Sequence, residues 1–151
     1  MTAPTFMLRP YRADDEETVI ALWRRTWQAT YPGIDFLQRL KWWRARWRGE
    51  LVPRCAIVVA EGPDEIVGFV TIERASGDLD QIVVAPEYWG SGVADKLLEQ
   101  AKKLSSGYID LVVNTDNLRA LRFYRRNGFD VVGEDVNALS GRRVFKMSWR
   151  G

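Results

Sequence analysis

Residues 82–98 read IVVAPEYWGSGVADKLL, and this stretch decides the fold. An apolar run of strand character meets a turn at Pro86. A loop with glycine at 90 and 92 follows, and then an amphipathic helix opens. A Gly-X-Gly loop that opens a helix is a physical means of holding phosphate. The first helical N–H groups have no partner inside the helix. The helix dipole places partial positive charge at the same end. The two together form an anion site from backbone alone. Gly90 and Gly92 carry no Cβ and let a bulky phosphate approach, and small Ala94 keeps the first turn open. The same spacing also occurs as plain turn chemistry. Two common phosphate loops are excluded. A dinucleotide fingerprint needs a third glycine where Asp95 stands, and no Gly-Lys-Ser/Thr run exists anywhere in the chain.

A second pattern lies downstream. Residues 114–129 read NTDNLRALRFYRRNGF. Asn117 suits a helix N-cap and Gly128, after Asn127, suits a C-terminal stop, so a helix of about three turns is expected between them. Tyr124 falls two turns after Asn117, which places both on one face. Phe123 is expected in the core. Tyr124 has a polar tip that needs a partner or solvent.

Pro86–Leu98, followed by Asn117, Ala120, Phe123-Tyr124 and Gly128-Phe129, resembles the GCN5-related N-acetyltransferase (GNAT) superfamily. The resemblance extends over nearly the whole chain, because length and element order also fit. The family's loop reads Gln/Arg-X-X-Gly-X-Gly/Ala. Here it is Trp89-Gly90-Ser91-Gly92-Val93-Ala94, with Trp89 where Gln or Arg is usual. That departure removes a side-chain contact to phosphate and leaves the backbone cradle intact.

The resemblance implies acetyl-CoA as the acyl donor, with its pyrophosphate on the amides of Gly90, Ser91, Gly92, Val93, Ala94 and Asp95. It implies a pantetheine arm running beside Ile82, Val83 and Val84 as an added strand would. Asn117 is expected to contact the co-substrate, and Tyr124 to stand near the thioester sulfur. Two strands, Asp78–Val84 and Tyr108–Val113, are expected to splay apart around the thioester. A bulge in the first of them would aim a backbone N–H at the carbonyl.

Composition narrows the chemistry further. The chain has 151 residues, one domain by size, spanning 1–151. Cys55 is alone, so no intrachain disulfide forms, and its apolar flanks mark it as a structural thiol. There is no histidine. This removes Ser-His and Cys-His nucleophiles, a histidine base and histidine metal ligands, and no metal is expected. The N-terminus MTAPTFMLRP lacks a signal-peptide pattern, and no apolar run approaches a membrane span. A cytoplasmic protein without membrane contact is expected. Residues 39–48, RLKWWRARWR, interleave basic and aromatic side chains as nucleic-acid surfaces do. Leu40, Trp43 and Trp47 however fit a buried helical face, with Arg39, Arg44, Arg46 and Arg48 on the solvated sides. Net charge is only +2 and the pI about 8.8, so no nucleic-acid partner is expected.

Along the chain, residues 5–12 read as a strand. A helix with a capping-box-like start at Asp14 and Glu17 runs to Tyr31-Pro32-Gly33. A second helix carries Phe36, Leu40, Trp43, Trp47 and Leu51 on one face. Strands follow at 55–60 and 65–74, at Asp78–Val84 and at Tyr108–Val113. The loop helix reaches Leu104, and Phe129–Val132 and Arg143–Trp149 close the chain. The order β-α-α-β-β-β-α-β-α-β-β predicts an α/β fold of the GNAT type, a mixed, mostly antiparallel central sheet flanked by helices.

The expected chemistry is direct attack of a primary amine on the thioester. Tyr124 is the candidate general acid, because a phenol can give a proton to a thiolate. Asp78 aligns with the glutamate that serves as base in histone-type members, and Glu73 is a second candidate. Asp80 shares a strand face with Asp78 and is a candidate acceptor contact, with Trp27 and Tyr31. Several carboxylates there would favour a cationic amine. Val112 stands where the branch acting on ribosomal protein N-termini has glutamate, so that branch's mechanism is not reproduced. The acceptor is a small-molecule or peptide amine. A homodimer follows from family habit only. Two other readings stay open: a non-catalytic acyl-CoA-binding regulator, and a transferase for another acyl group.

Overall fold

The computed structural model describes residues 5–151. The first four residues, part of the segment read above for a signal peptide, lie outside the described ones. Two antiparallel sheets form the centre. One holds β1 (Met7–Pro10), β2 (Ala56–Glu61), β3 (Ile66–Ile72) and β4 (Leu79–Val84) in that order. The other holds β5 (Tyr108–Asn114), β6 (Asp130–Val136) and β7 (Arg143–Arg150) in the order β5-β7-β6. β3 reads IVGFVTI and is buried throughout, as a strand covered on both faces must be.

The covering layers follow from neighbouring residues of β3. A Cβ on Gly68 would meet Leu97 and Val93 of α4 (Val93–Leu104), whereas the Phe69 ring meets Trp47 edge-on at 5.4 Å. Adjacent strand residues point to opposite faces. α4 therefore covers one face, and the aromatic layer around Trp47 covers the other. α4 buries Val93, Leu97, Leu98 and Ala101 at helical spacing. The second layer comprises α1 (Glu16–Thr30) and α2 (Leu40–Arg46). Trp23 of α1 stacks on Trp43 of α2 with ring centroids 4.5 Å apart. An Arg44–Glu17 ion pair joins the same two helices, and Arg48, just beyond α2, pairs with Glu16. α2 leads through a π-type turn, Trp47–Leu51, into the short α3 (Val52–Arg54). Pro53 has no N–H to give and crowds the preceding turn, and a π-type turn accommodates that.

Three expectations are corrected here. α1 is not entered through Asp14 and Glu17. Asp15 accepts the Arg12 N–H at 2.8 Å and both guanidinium nitrogens of Arg9, so a buried carboxylate fixes the turn. The arginines of residues 39–48 are not simply solvated. Arg44, Arg46 and Arg48 each hold a carboxylate. Phe123 is only half-buried, whereas Tyr124 is buried.

Among the described residues one backbone bridge joins the two sheets. Asp78 and Asp110 form a single parallel bridge, and the Asp110 N–H donates to the Gly77 carbonyl at 2.9 Å. Beyond it β4 and β5 are unpaired and diverge into an open wedge, as expected. The expected bulge is also present in β4. Thr71 pairs with Gln81 and Ile72 with Leu79, so Asp80 is the extra residue. No helix among the described residues is long and apolar enough to cross a membrane.

Candidate active site

The wedge opens into a cleft of about 970 Å³, floored by β4 and walled by α1, the glycine loop, β5 and α5 (Leu118–Arg126). A cavity of this size accommodates a large ligand together with a smaller one.

At one end stands the loop. Gly90 and Gly92 have φ of 78° and 95°, values that glycine adopts without strain. A Cβ at either would meet nothing within 4 Å, so the space beside them is open. Gly92 is the N-cap of α4, and no side chain caps that end. The carboxylate of Asp95 is drawn aside by Arg126 and Asn127, at 3.2 Å from each. The N–H groups of the first turn have neither a partner inside the helix nor a side-chain cap. Gly90, Gly92, Ala94 and Asp95 line the cleft. Ser91 turns both its hydroxyl and its N–H, the latter at 3.1 Å, to the Tyr88 carbonyl, so the expected contact from its amide is not available, whereas Val93, its side chain fully buried, can offer only backbone. Ile82, Val83 and Val84 line the floor.

α5 supplies the opposite wall. Asn117 caps it by accepting the Ala120 N–H on Oδ1 at 3.2 Å, which leaves Nδ2 for a ligand. Tyr124 lines the cleft two turns on, 7% exposed, with its ring against Phe129 and Phe123. Its phenol has no hydrogen-bond partner among the described residues. Burial pushes the phenol pKa well above its ordinary value, and the charge of Arg119 opposes that only in part. The group is a neutral donor throughout the physiological range.

The third wall is aromatic. Trp27 and Tyr31 line the cleft and lie nearly parallel, 6.0 Å between ring centroids. The Tyr31 hydroxyl donates to Asp116 at 2.8 Å and accepts from Asn114 at 3.0 Å. It ties α1 to β5 and to the turn after it, and its phenol pKa is raised by burial and by Asp116. Phe36, Trp42 and Trp43 continue this wall.

The three candidate carboxylates separate. Asp80 lines the cleft, while Asp78 and Glu73 stand off its lining. The bulge at Asp80 breaks the alternation that would have kept Asp78 and Asp80 on one face. Asp80 accepts two hydrogen bonds from the Arg46 guanidinium, one at 2.7 Å, and one from Gln81 at 3.0 Å. The pair holds the Arg46 pKa above its ordinary value. Asp78 is pushed upward, by desolvation first and then by the charges of Asp80 and Glu73. Arg46, Gln81, Arg119 and Trp42 also line the cleft and were not singled out from the sequence. Arg119 was within reach of that reading, since it lies between Asn117 and Tyr124 in the same motif.

Residues 53–131 match the family model described as an acetyltransferase (GNAT) domain. The chain belongs to the GNAT superfamily. It is 31% identical over 134 residues to the peptidyl-lysine N-acetyltransferase YjaB of Salmonella typhimurium, covering 83% of this chain and 84% of that protein. It is 26% identical over 145 residues to the spermidine N(1)-acetyltransferase of Thermoplasma acidophilum, covering 85% and 90%. Among solved structures, the PaiA N-acetyltransferase of Thermoplasma acidophilum, in complex with coenzyme A, superposes with a TM-score of 0.80. Identity there is 22%, over 97% of this chain and 99% of that one, a likeness of fold. The GNAT assignment and the wedge, bulge and glycine loop thus agree. Among the described residues no group of three or more His, Cys, Asp or Glu is placed to hold a metal ion.

Proposed function

We propose that this GNAT domain transfers an acetyl group from acetyl-CoA to a primary amine, by direct attack in a ternary complex. One observation carries the reading. The unpartnered Tyr124 phenol and the uncapped start of α4 face a single cleft that is large enough for donor and acceptor together. The loop amides and Asn117 Nδ2 hold the donor, with its thioester beside Tyr124. The amine nitrogen attacks the carbonyl carbon. A C–N bond forms, the C–S bond breaks, and its electron pair leaves on sulfur. Tyr124 gives that sulfur its proton and is reprotonated from solvent.

The amine's surplus proton leaves through water. Asp78 and Glu73 are the carboxylates at the far end of that path. The raised Asp78 pKa brings it closer to that of an ammonium. Asp80 acts through Arg46 as a shaped, neutralised pair. The acceptor lies against Trp27 and Tyr31, and the aromatic wall suits an amine borne on an apolar body.

The test is acetyl-CoA-dependent thiol release over aromatic amines, amino acids, lysine peptides and polyamines. Release that requires one acceptor class is expected. Tyr124→Phe should lower kcat by roughly 10²–10⁴-fold, the usual worth of a placed acid, with acetyl-CoA affinity unchanged. Calorimetric acetyl-CoA binding with no acceptor-dependent release would favour the acyl-CoA-binding regulator instead.

A further inference from the structure

Trp89 and Arg119 form a unit that the reading above does not use. Trp89 stands where the family's loop motif has Gln or Arg. Its indole is pinned, since Nε1–H donates to the Val84 carbonyl at 2.8 Å. The guanidinium carbon of Arg119 lies 3.6 Å from the centre of that ring. A cation at this distance over an indole is attracted to the ring face. Stacking occupies the face of the guanidinium and leaves the N–H edges free, which is the geometry that phosphate takes up in bidentate fashion.

Nothing among the described residues uses those edges fully. Among the described residues the one polar partner of Arg119 is Thr30 Oγ1, at a long 3.4 Å. The nearby acids are committed elsewhere. Asp95 holds Arg126, Asp116 holds Arg142, and Glu87 holds Arg25. Arg119 stays exposed to solvent, with partial desolvation lowering its pKa, so its N–H edges are open to an anion arriving in the cleft. Trp89 and Arg119 line the same cleft as Gly90 and Gly92, so the cation stands beside the open amide cradle.

We infer that Arg119, stacked on Trp89, is the side-chain cation for the co-substrate's phosphates. The contact that the loop lost with Trp89 is supplied from α5, with the indole as its platform. This rests on acetyl-CoA being the donor. Arg119 lies on α5 with Tyr124 and lines the same cleft, so action at the thioester is the competing role. The two differ in which part of the donor they need.

The experiment is calorimetric titration of wild type, Arg119→Met and Trp89→Arg/Arg119→Met with acetyl-CoA and with S-acetylpantetheine, which keeps the thioester and has no phosphate. Melting temperatures establish that each variant is folded. Arg119→Met should weaken acetyl-CoA roughly ten- to a hundredfold, the scale of a charge-assisted bidentate contact, and leave S-acetylpantetheine affinity as in wild type. The double variant, with the cation returned to the loop, should recover most of the loss. Equal weakening of both ligands, or undiminished acetyl-CoA binding, overturns the inference. Failure of wild type to bind acetyl-CoA removes the donor assignment itself, a different result from a variant that binds as wild type does.

Discussion

Replacing Gly77 by alanine should open the apex of the wedge, and the cost can be worked from the coordinates. Gly77 has φ of 74°, and its carbonyl accepts the Asp110 N–H that ties the two sheets together. A Cβ there would lie 2.5 Å from the Tyr108 carbonyl oxygen and 2.7 Å and 2.8 Å from its ring carbons. The ring cannot swing away freely, because the Tyr108 hydroxyl donates to the Ala75 carbonyl at 2.7 Å and Arg150 lies over its face. Gly141 is the natural control. Its φ is 71°, and a Cβ would meet nothing within 4 Å. Both alanines carry a left-handed backbone penalty of about 1–2 kcal/mol. Only Gly77→Ala adds a packing conflict, about 1–3 kcal/mol by the measure of overpacked sites. Urea unfolding should therefore place Gly77→Ala below Gly141→Ala by that difference, with equal m-values. Equal losses in the two variants would refute a tight apex and, with it, the wedge as the device that holds the cleft open.

Two further outcomes follow from the site. Gly92→Glu puts a carboxylate and a disfavoured backbone into the cradle. Like charges in close juxtaposition cost several kcal/mol, so acetyl-CoA affinity should fall roughly a hundredfold or more by calorimetry, and unchanged binding would remove the loop assignment. Cys55 is pushed up to about 11 by desolvation and by the charges of Asp80, Glu73 and Asp78. Its thiolate is therefore scarce at pH 8, so iodoacetamide labelling should run on the order of a hundredfold slower than for a free thiol and accelerate as the pH rises through 10. Labelling at the free-thiol rate at pH 8 would contradict that environment.

Much of this was legible from local pattern. α5 is bounded by Asn117 and Gly128, each of which acts within a few residues of itself, so its position could be read directly. α4 announces itself by Val93, Leu97, Leu98 and Ala101 and by the glycines before it. What could not be read depends on partners distant in sequence. The division into two sheets rests on one bridge between Asp78 and Asp110. Asp80 looked like a free carboxylate because its partner Arg46 lies 34 residues away on another layer. Asp14 and Glu17 had a capping spacing, but Arg9 reaches from β1 and selects Asp15 instead. Phe123 and Tyr124 are neighbours on a helix, about 100° apart around its axis. Which of them turns inward is a matter of phase against the sheet, and the sequence offers two aromatics of similar bulk for it.

The paired Asp80 bears on how an amine is made ready to attack. An ammonium must lose its proton before nitrogen can act as a nucleophile. A cluster of free carboxylates in the cleft would bind the ammonium well and, for the same reason, raise its pKa and hold the proton on. Arg46 cancels the charge of Asp80, which lines the cleft. The aromatic surfaces of Trp27, Tyr31 and Trp43 line the same cleft and would exclude water from an amine bound there. Desolvation of that kind acts against the charged amine and lowers its pKa. Asp78 stands off the lining with its own pKa raised. On the function proposed above, binding and deprotonation fall to different surfaces: aromatic contact would hold the body of the acceptor, and the displaced carboxylates would take only its proton. A polyamine, whose remaining charges need several unpaired carboxylates, gains less from such a cleft than an aromatic or apolar monoamine does.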